Sequence, residues 1–146
     1  MNILLLMQGH SGSGKSTLAK KFKDWFESLG HGVEICSTDS QFVVDGVYEF
    51  DATLLGCYHK RNLDLSVIAL GAGKTVIVDN TNTCAWECKG YVEAAVKFGI
   101  PVFFHRAEGN FQNTHGVPAE KVEGMKKRLE LLTVESVLAS RSPWEK

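Results

Sequence analysis

The chain has 146 residues, 44% of them hydrophobic, with 16 basic and 17 acidic side chains and a formal net charge of −1. That length and apolar content suit one domain, 1–146, with a real core, and exclude a membrane-spanning chain because no apolar run is long enough. A charge so near zero excludes the overall footprint of a protein that coats long nucleic acid, while leaving room for a local basic site.

The first element is a strand over residues 2–8, apolar enough to be buried on both faces. No basic residue precedes it and no small-residue cleavage site follows, so no signal peptide is expected. After a glycine-rich stretch, Leu18, Phe22, Trp25, Phe26 and Leu29 recur at helical spacing until Gly30 and Gly32 stop the pattern. Residues 33–37 read as a second strand. Residues 41–50 lack clear periodicity. Asp51 then suits the cap of a helix carrying Leu54, Leu55, Tyr58, Leu65 and Ile68, which ends near Gly71. Residues 75–78 are a third strand. Cys88, Tyr91, Val92, Ala95 and Phe98 mark a helix closed by Gly99, and residues 100–104 a fourth strand. Residues 107–117 are rich in Asn and Gly. Pro118 opens a last helix whose shared face holds Val122, Met125, Leu129 and Leu132. Cys36, Cys57, Cys84 and Cys88 complete no zinc set and read as free thiols of a cytoplasmic protein. The alternation of strands and helices predicts an α/β fold: a short, mainly parallel sheet with helices on both faces.

The stretch Gly9-His10-Ser11-Gly12-Ser13-Gly14-Lys15-Ser16 fits G-x-x-x-x-G-K-[ST] without a gap, between a strand and a helix. Its glycines turn successive N–H groups into one concavity, and the helix that follows presents its N-terminus there, so the loop attracts phosphate. Gly9, Ser11, Gly12, Ser13, Gly14 and Thr17 make up the expected nucleotide-binding loop with Lys15 and Ser16. Lys15 is expected to reach the β- and γ-phosphates and the Ser16 hydroxyl to hold Mg²⁺. A base-reading Asn-Lys-x-Asp segment, usual in GTPases, does not occur, which favours ATP. Asp39, just after the second strand, is placed to accept a proton from an acceptor hydroxyl. Asp79, at the end of the third strand, is placed to hold Mg²⁺ or orient the acceptor. Asn80, Thr81 and Asn82 extend that rim as candidate hydrogen-bonding groups for a sugar or base. Phe42 is a candidate stacking platform for a base, and Arg61, in the His59-Lys60-Arg61 cluster, a candidate phosphate contact.

The blocks "GHSGSGKST", "STD", "VIVDNTNT" followed by "WE", and "HGVP" occur in this order and resemble the small polynucleotide-kinase-like P-loop proteins of phages and bacteria, whose best-known relative is the kinase half of phage polynucleotide 5′-kinase/3′-phosphatase. The resemblance covers roughly residues 3–132. It implies a kinase-like P-loop fold with a three-layer α/β/α arrangement, ATP with Mg²⁺, and a 5′-hydroxyl acceptor on a DNA or RNA end. It implies Lys15 and Ser16 as phosphate and metal residues, Asp39 as general base, Asp79 as the acidic residue of the third strand, and residues 107–117 as a lid over ATP. Two positions depart from the family pattern. An arginine that grips the acceptor phosphate is replaced by Phe42, and a lid arginine falls near Gln112. Other readings stay open on the residues: a kinase of a nucleoside, a nucleotide or a hydroxymethylated base in DNA, or a nucleotide-binding switch with weak ATPase activity.

Overall fold

In the computed structural model, which describes residues 1–10, 12–109, 117–129 and 131–143, the apolar opening is strand β1 (Leu4–Gln8), buried along its whole length. It is followed by α1 (Lys15–Ser28), β2 (Val33–Cys36), a 3₁₀ turn over Asp39–Phe42, β3 (Val43–Val44), β4 (Val47–Tyr48), α2 (Leu55–Gly71) and β5 (Thr75–Asp79). Helix α3 (Lys89–Phe98), β6 (Val102–Arg106), α4 (Ala119–Arg128) and α5 (Val134–Ala139) complete the order. Strands β2, β5, β1 and β6 lie side by side in that order, and each neighbouring pair is parallel.

Side chains alternate across a strand, so β1 feeds two cores. Leu4 and Leu6 join Val76, Val78, Tyr91, Val92 and Val137 on the face covered by α2, α3 and α5. Leu5 and Met7 join Ile77, Ala19 and Phe26 on the face covered by α1. The result is the three-layer α/β/α arrangement expected from the pattern. It gathers the carboxyl ends of β1, β2 and β5 along one rim, where ligands bind in open parallel sheets.

Three elements differ from their sequence reading. Residues 41–50 are not irregular: after the 3₁₀ turn, β3 and β4 pair antiparallel as a hairpin. Its two-residue turn is Asp45-Gly46, both at positive φ (50° and 79°), the backbone that an Asp-Gly pair accepts most readily. The two strands are only two residues each, too short for alternation to register. The last helix stops at Arg128, and Leu132 enters the core beside a separate helix, α5. Thr133 starts α5: its Oγ1 accepts from Ser136 N, and Ser136 Oγ accepts from Thr133 N, both at 3.0 Å.

The third difference is the buried face of α2. Leu54, Leu65 and Ile68 are 39%, 47% and 68% exposed, while Asn62, Ser66, Ala69 and Leu70 are buried. The polar pair is tolerated because it is satisfied. Asn62 Nδ2 donates to Tyr91 Oη at 2.9 Å, and Ser66 Oγ donates to Asn62 O at 2.7 Å.

Candidate active site

The loop after β1 is shaped by its glycines. Gly12 and Gly14 take φ of 85° and 90°, a left-handed backbone that side chains with a Cβ rarely adopt. Gly14 stands at the N-terminus of α1, where no side chain caps the helix and no acidic residue occupies the first turn. The first N–H groups of α1 and its positive end are therefore available to an anion. Gly9 is required for close approach. A Cβ there would lie 2.5 Å from Ser13 Oγ and 2.8 Å from the carbonyl of Ala107. Ser13 Oγ is itself buried and has no hydrogen-bond partner among the described residues. Gly9→Ala is expected to push the loop off the Ala107 backbone, lower stability by about 1–3 kcal/mol and weaken nucleotide binding. Thermal unfolding and nucleotide titration check this together.

Lys15 and Ser16 open α1. Ser16 Oγ donates to Asp79 Oδ2 at 2.8 Å, which joins the phosphate loop to the end of β5. A hydroxyl beside a carboxylate offers hard oxygen ligands of the kind Mg²⁺ takes, so these two residues fit that ion. Burial pushes the Lys15 ammonium below its usual range, while the charges of Asp79 and Asp39 pull it back up. Asp39 begins the 3₁₀ turn after β2. Its charge also reaches Tyr48 on the hairpin, whose phenol is raised first by burial and then by Asp39. Asp39 is thus within electrostatic reach of both the loop lysine and the hairpin. Thr17 is exposed on the first turn of α1. Ser11 and Gln112, with most of the expected lid, lie outside the described residues. The root of that segment is fixed on the phosphate loop: Ala107 N donates to Gln8 O at 2.8 Å and Gly109 N to Ser13 O at 3.0 Å.

Of the residues expected to bind substrate from the end of β5, Asn80 and Asn82 use side-chain groups to hold the rim together, and Thr81 holds it through its backbone carbonyl. Asn80 Oδ1 accepts from Thr38 N at 2.9 Å, which ties it to the segment leading into Asp39. The carbonyl of Thr81 accepts from Gly9 N at 3.0 Å. Asn82, buried and at φ 48°, donates through Nδ2 to Met7 O at 2.7 Å. Four consecutive residues, 79–82, therefore fasten four different points around the site.

Phe42 also differs from its sequence reading. It is 2% exposed and packed by Tyr48, Phe50 and Tyr58, with ring centroids at 6.4, 5.1 and 4.7 Å. It offers no open ring face; Phe50, 51% exposed, does. In the basic cluster, His59 Nδ1 lies 2.9 Å from Thr38 Oγ1, and Lys60 pairs with Asp64 at 3.0 Å. Arg61 is exposed on α2 and has no such partner among the described residues.

Residues 4–132 match the family described as AAA domain. The chain belongs to that family. This AAA domain is 34% identical over 154 residues to NEDD4-binding protein 2 of Homo sapiens, a match covering 99% of the chain but 8% of the human protein. It is 28% identical to the uncharacterised protein PM0531 of Pasteurella multocida, covering 86% of the chain and 75% of that protein. Among solved structures it resembles the APS kinase CysC of Mycobacterium tuberculosis, with a TM-score of 0.59 at 16% identity, over 88% of this chain and 96% of that one. Another CysC structure, in complex with AMPPNP and APS, gives a TM-score of 0.58 at 17% identity, over 84% and 67% of the two chains. A chain of the Pnkp1/Rnl/Hen1 complex gives a TM-score of 0.58 at 19% identity, over 99% of this chain and 43% of that one. At such identities the likeness establishes the fold, which is that of the kinase-like P-loop proteins. No helix among the described residues is long and apolar enough to cross a membrane.

One part of the AAA domain's site left no mark in the sequence reading. The Tyr91 hydroxyl accepts from Asn62 and feels the side chain of Asn80, which in turn holds Thr38. Burial is the main cause raising the phenol, to about 12. A raised phenol keeps its proton in the fold after the unfolded chain has lost it. Its contribution is therefore complete below pH 10 and disappears as the pH climbs towards 12. Tyr91→Phe is expected to cost about 1–3 kcal/mol by leaving polar groups unpaired, and to flatten the loss of stability between those pH values. Urea unfolding at pH 8 and pH 11 measures both effects.

Proposed function

We propose that this chain is an ATP-dependent phosphotransferase that moves the γ-phosphate to a hydroxyl, and that its preferred acceptor is the 5′-hydroxyl of a DNA or RNA end. The observation that carries the reading is the convergence at one rim of Lys15, the Ser16–Asp79 pair and Asp39, below an uncapped helix N-terminus. The AMPPNP in the similar CysC structure supports ATP as donor. The sequence blocks shared with polynucleotide-kinase-like proteins, and the likeness to the Pnkp1 complex, support the acceptor.

In this reading the loop N–H groups and Lys15 hold the β- and γ-phosphates. Ser16 and Asp79 would hold Mg²⁺, which would offset the charge on the phosphates. Asp39 orients the acceptor hydroxyl and takes its proton as the oxygen bonds to the γ-phosphorus. The bond from that phosphorus to the bridging oxygen breaks, and ADP leaves with the electron pair. Residues 107–117 act as a lid that excludes water. Arg61, the cation of its cluster without a partner among the described residues, meets a phosphate of the acceptor strand.

The test is transfer of labelled γ-phosphate to a panel of 5′-hydroxyl oligonucleotides, free nucleosides and DNA with hydroxymethylated bases, repeated with Arg61→Ala. Labelled oligonucleotide ends are expected, with a several-fold higher KM for the oligonucleotide in Arg61→Ala and an unchanged KM for ATP. Transfer to nucleosides alone would move the assignment to a small-molecule kinase, and ATP hydrolysis without any acceptor to a nucleotide switch.

A further inference from the structure

The far end of the 3₁₀ turn that Asp39 opens, the hairpin, residues 49–54 and the first turn of α2 border an open cleft of about 470 Å³. Its walls include Phe42, Glu49, Phe50, Asp51 and Tyr58, and none of its lining residues is basic. Phe50 presents a half-exposed ring, backed by Phe42 at a centroid distance of 5.1 Å. A carboxylate flanks that ring on each side in the chain. Asp51 Oδ1 is used, accepting from Thr53 N at 2.9 Å and Thr53 Oγ1 at 2.6 Å. Those hydrogen bonds hold the carboxyl below its ordinary range, so it is charged at neutral pH. Neither its Oδ2 nor the Glu49 carboxylate has a partner among the described residues.

An aromatic face with two carboxylates and no cation repels phosphate. It suits a flat ring that donates hydrogen bonds. We propose that this cleft receives the base of the acceptor's 5′-terminal nucleoside and favours bases with an exocyclic amino group over thymine and uracil. The base stacks on Phe50, and its amino N–H donates to Glu49 or Asp51. Thymine and uracil turn carbonyl oxygens where those donors are needed. The strand's phosphates then lie outside the cleft. The inference rests on the 5′-hydroxyl kinase reading, because that reading brings a nucleoside to Asp39.

The experiment is steady-state transfer to four 5′-hydroxyl oligodeoxynucleotides that differ only in the first base, with wild type, Glu49→Gln and Phe50→Ala. Glu49 is exposed, so Glu49→Gln leaves the packing alone. Phe50 also covers Phe42, so the Phe50→Ala variant is compared with Phe50→Leu, which keeps that cover without a flat ring, and both are checked by thermal unfolding. A KM about fivefold to tenfold higher for the thymine end than for the others is expected in wild type. Glu49→Gln should narrow that gap, because an amide both donates and accepts. Phe50→Ala should raise KM for every end by about tenfold, with the KM for ATP unchanged. Equal KM values for the four ends, or a Phe50→Ala variant with the wild-type KM, overturn the proposal while leaving the kinase reading standing. If no end is phosphorylated, the kinase reading fails, and equilibrium binding of adenosine and thymidine decides the cleft. Tighter binding of adenosine that Phe50→Ala abolishes supports it, and equal binding overturns it.

Discussion

Lys15→Ala is expected to lower γ-phosphate transfer by roughly 10²- to 10³-fold, the range for loss of one preorganised charge donor at a transferring group. The fold should survive. Burial lowers the Lys15 pKa in the folded chain, so the unfolded chain binds that proton more readily, and at neutral pH the charge costs the fold free energy. Stability in the wild type therefore rises as the pH climbs through the lowered value towards 10.5. The alanine variant should unfold at the same temperature as wild type or slightly above it, and should lack that rise. A variant with intact transfer, or one that is inactive because it unfolds, contradicts the role of Lys15 at the phosphates.

Asp39→Asn is expected to separate binding from chemistry. The amide keeps the shape of the side chain but cannot take the acceptor's proton, so transfer should fall by roughly 10²-fold or more. The KM for ATP should stay level or fall, since a negative charge near the phosphates has been removed. Full activity in Asp39→Asn would reduce this carboxylate to an opening residue of the 3₁₀ turn and direct the search for the base to Asp79. The opposite pattern, a raised KM for ATP with unchanged kcat, would place Asp39 in nucleotide binding.

What the sequence revealed follows from which interactions are local. The phosphate loop was readable because its physical demands fall on adjacent residues: left-handed backbone at Gly12 and Gly14, then Lys15 and Ser16 at the helix start. The sheet was readable because buried parallel strands are apolar throughout, as in β1 and β5. The structural part played by Asn80 and Asn82 was not legible, because an Asn after a strand looks alike whether it meets a ligand or fastens a neighbouring chain. Their partners, Thr38 and Met7, are 42 and 75 residues away. The face of α2 misled for a related reason. Asn62 and Ser66 look like surface residues until Tyr91, 29 positions on from Asn62, provides a buried partner. Phe42 was offered as a platform from its position alone, and only the folded hairpin shows Tyr48 and Phe50 closing over it. The hairpin itself carried a readable signal, Asp45-Gly46 between valines, which was obscured by strands of two residues.

The central assignment is tested most directly by following where the γ-phosphate goes. The chain is incubated with γ-labelled ATP, Mg²⁺ and one oligonucleotide in two forms, with a 5′-hydroxyl and with a 5′-phosphate already in place. Label covalently attached to the 5′ end of the first form alone, and lost in Lys15→Ala and Asp39→Asn, is the predicted result. Release of inorganic phosphate with no label on either form would contradict it.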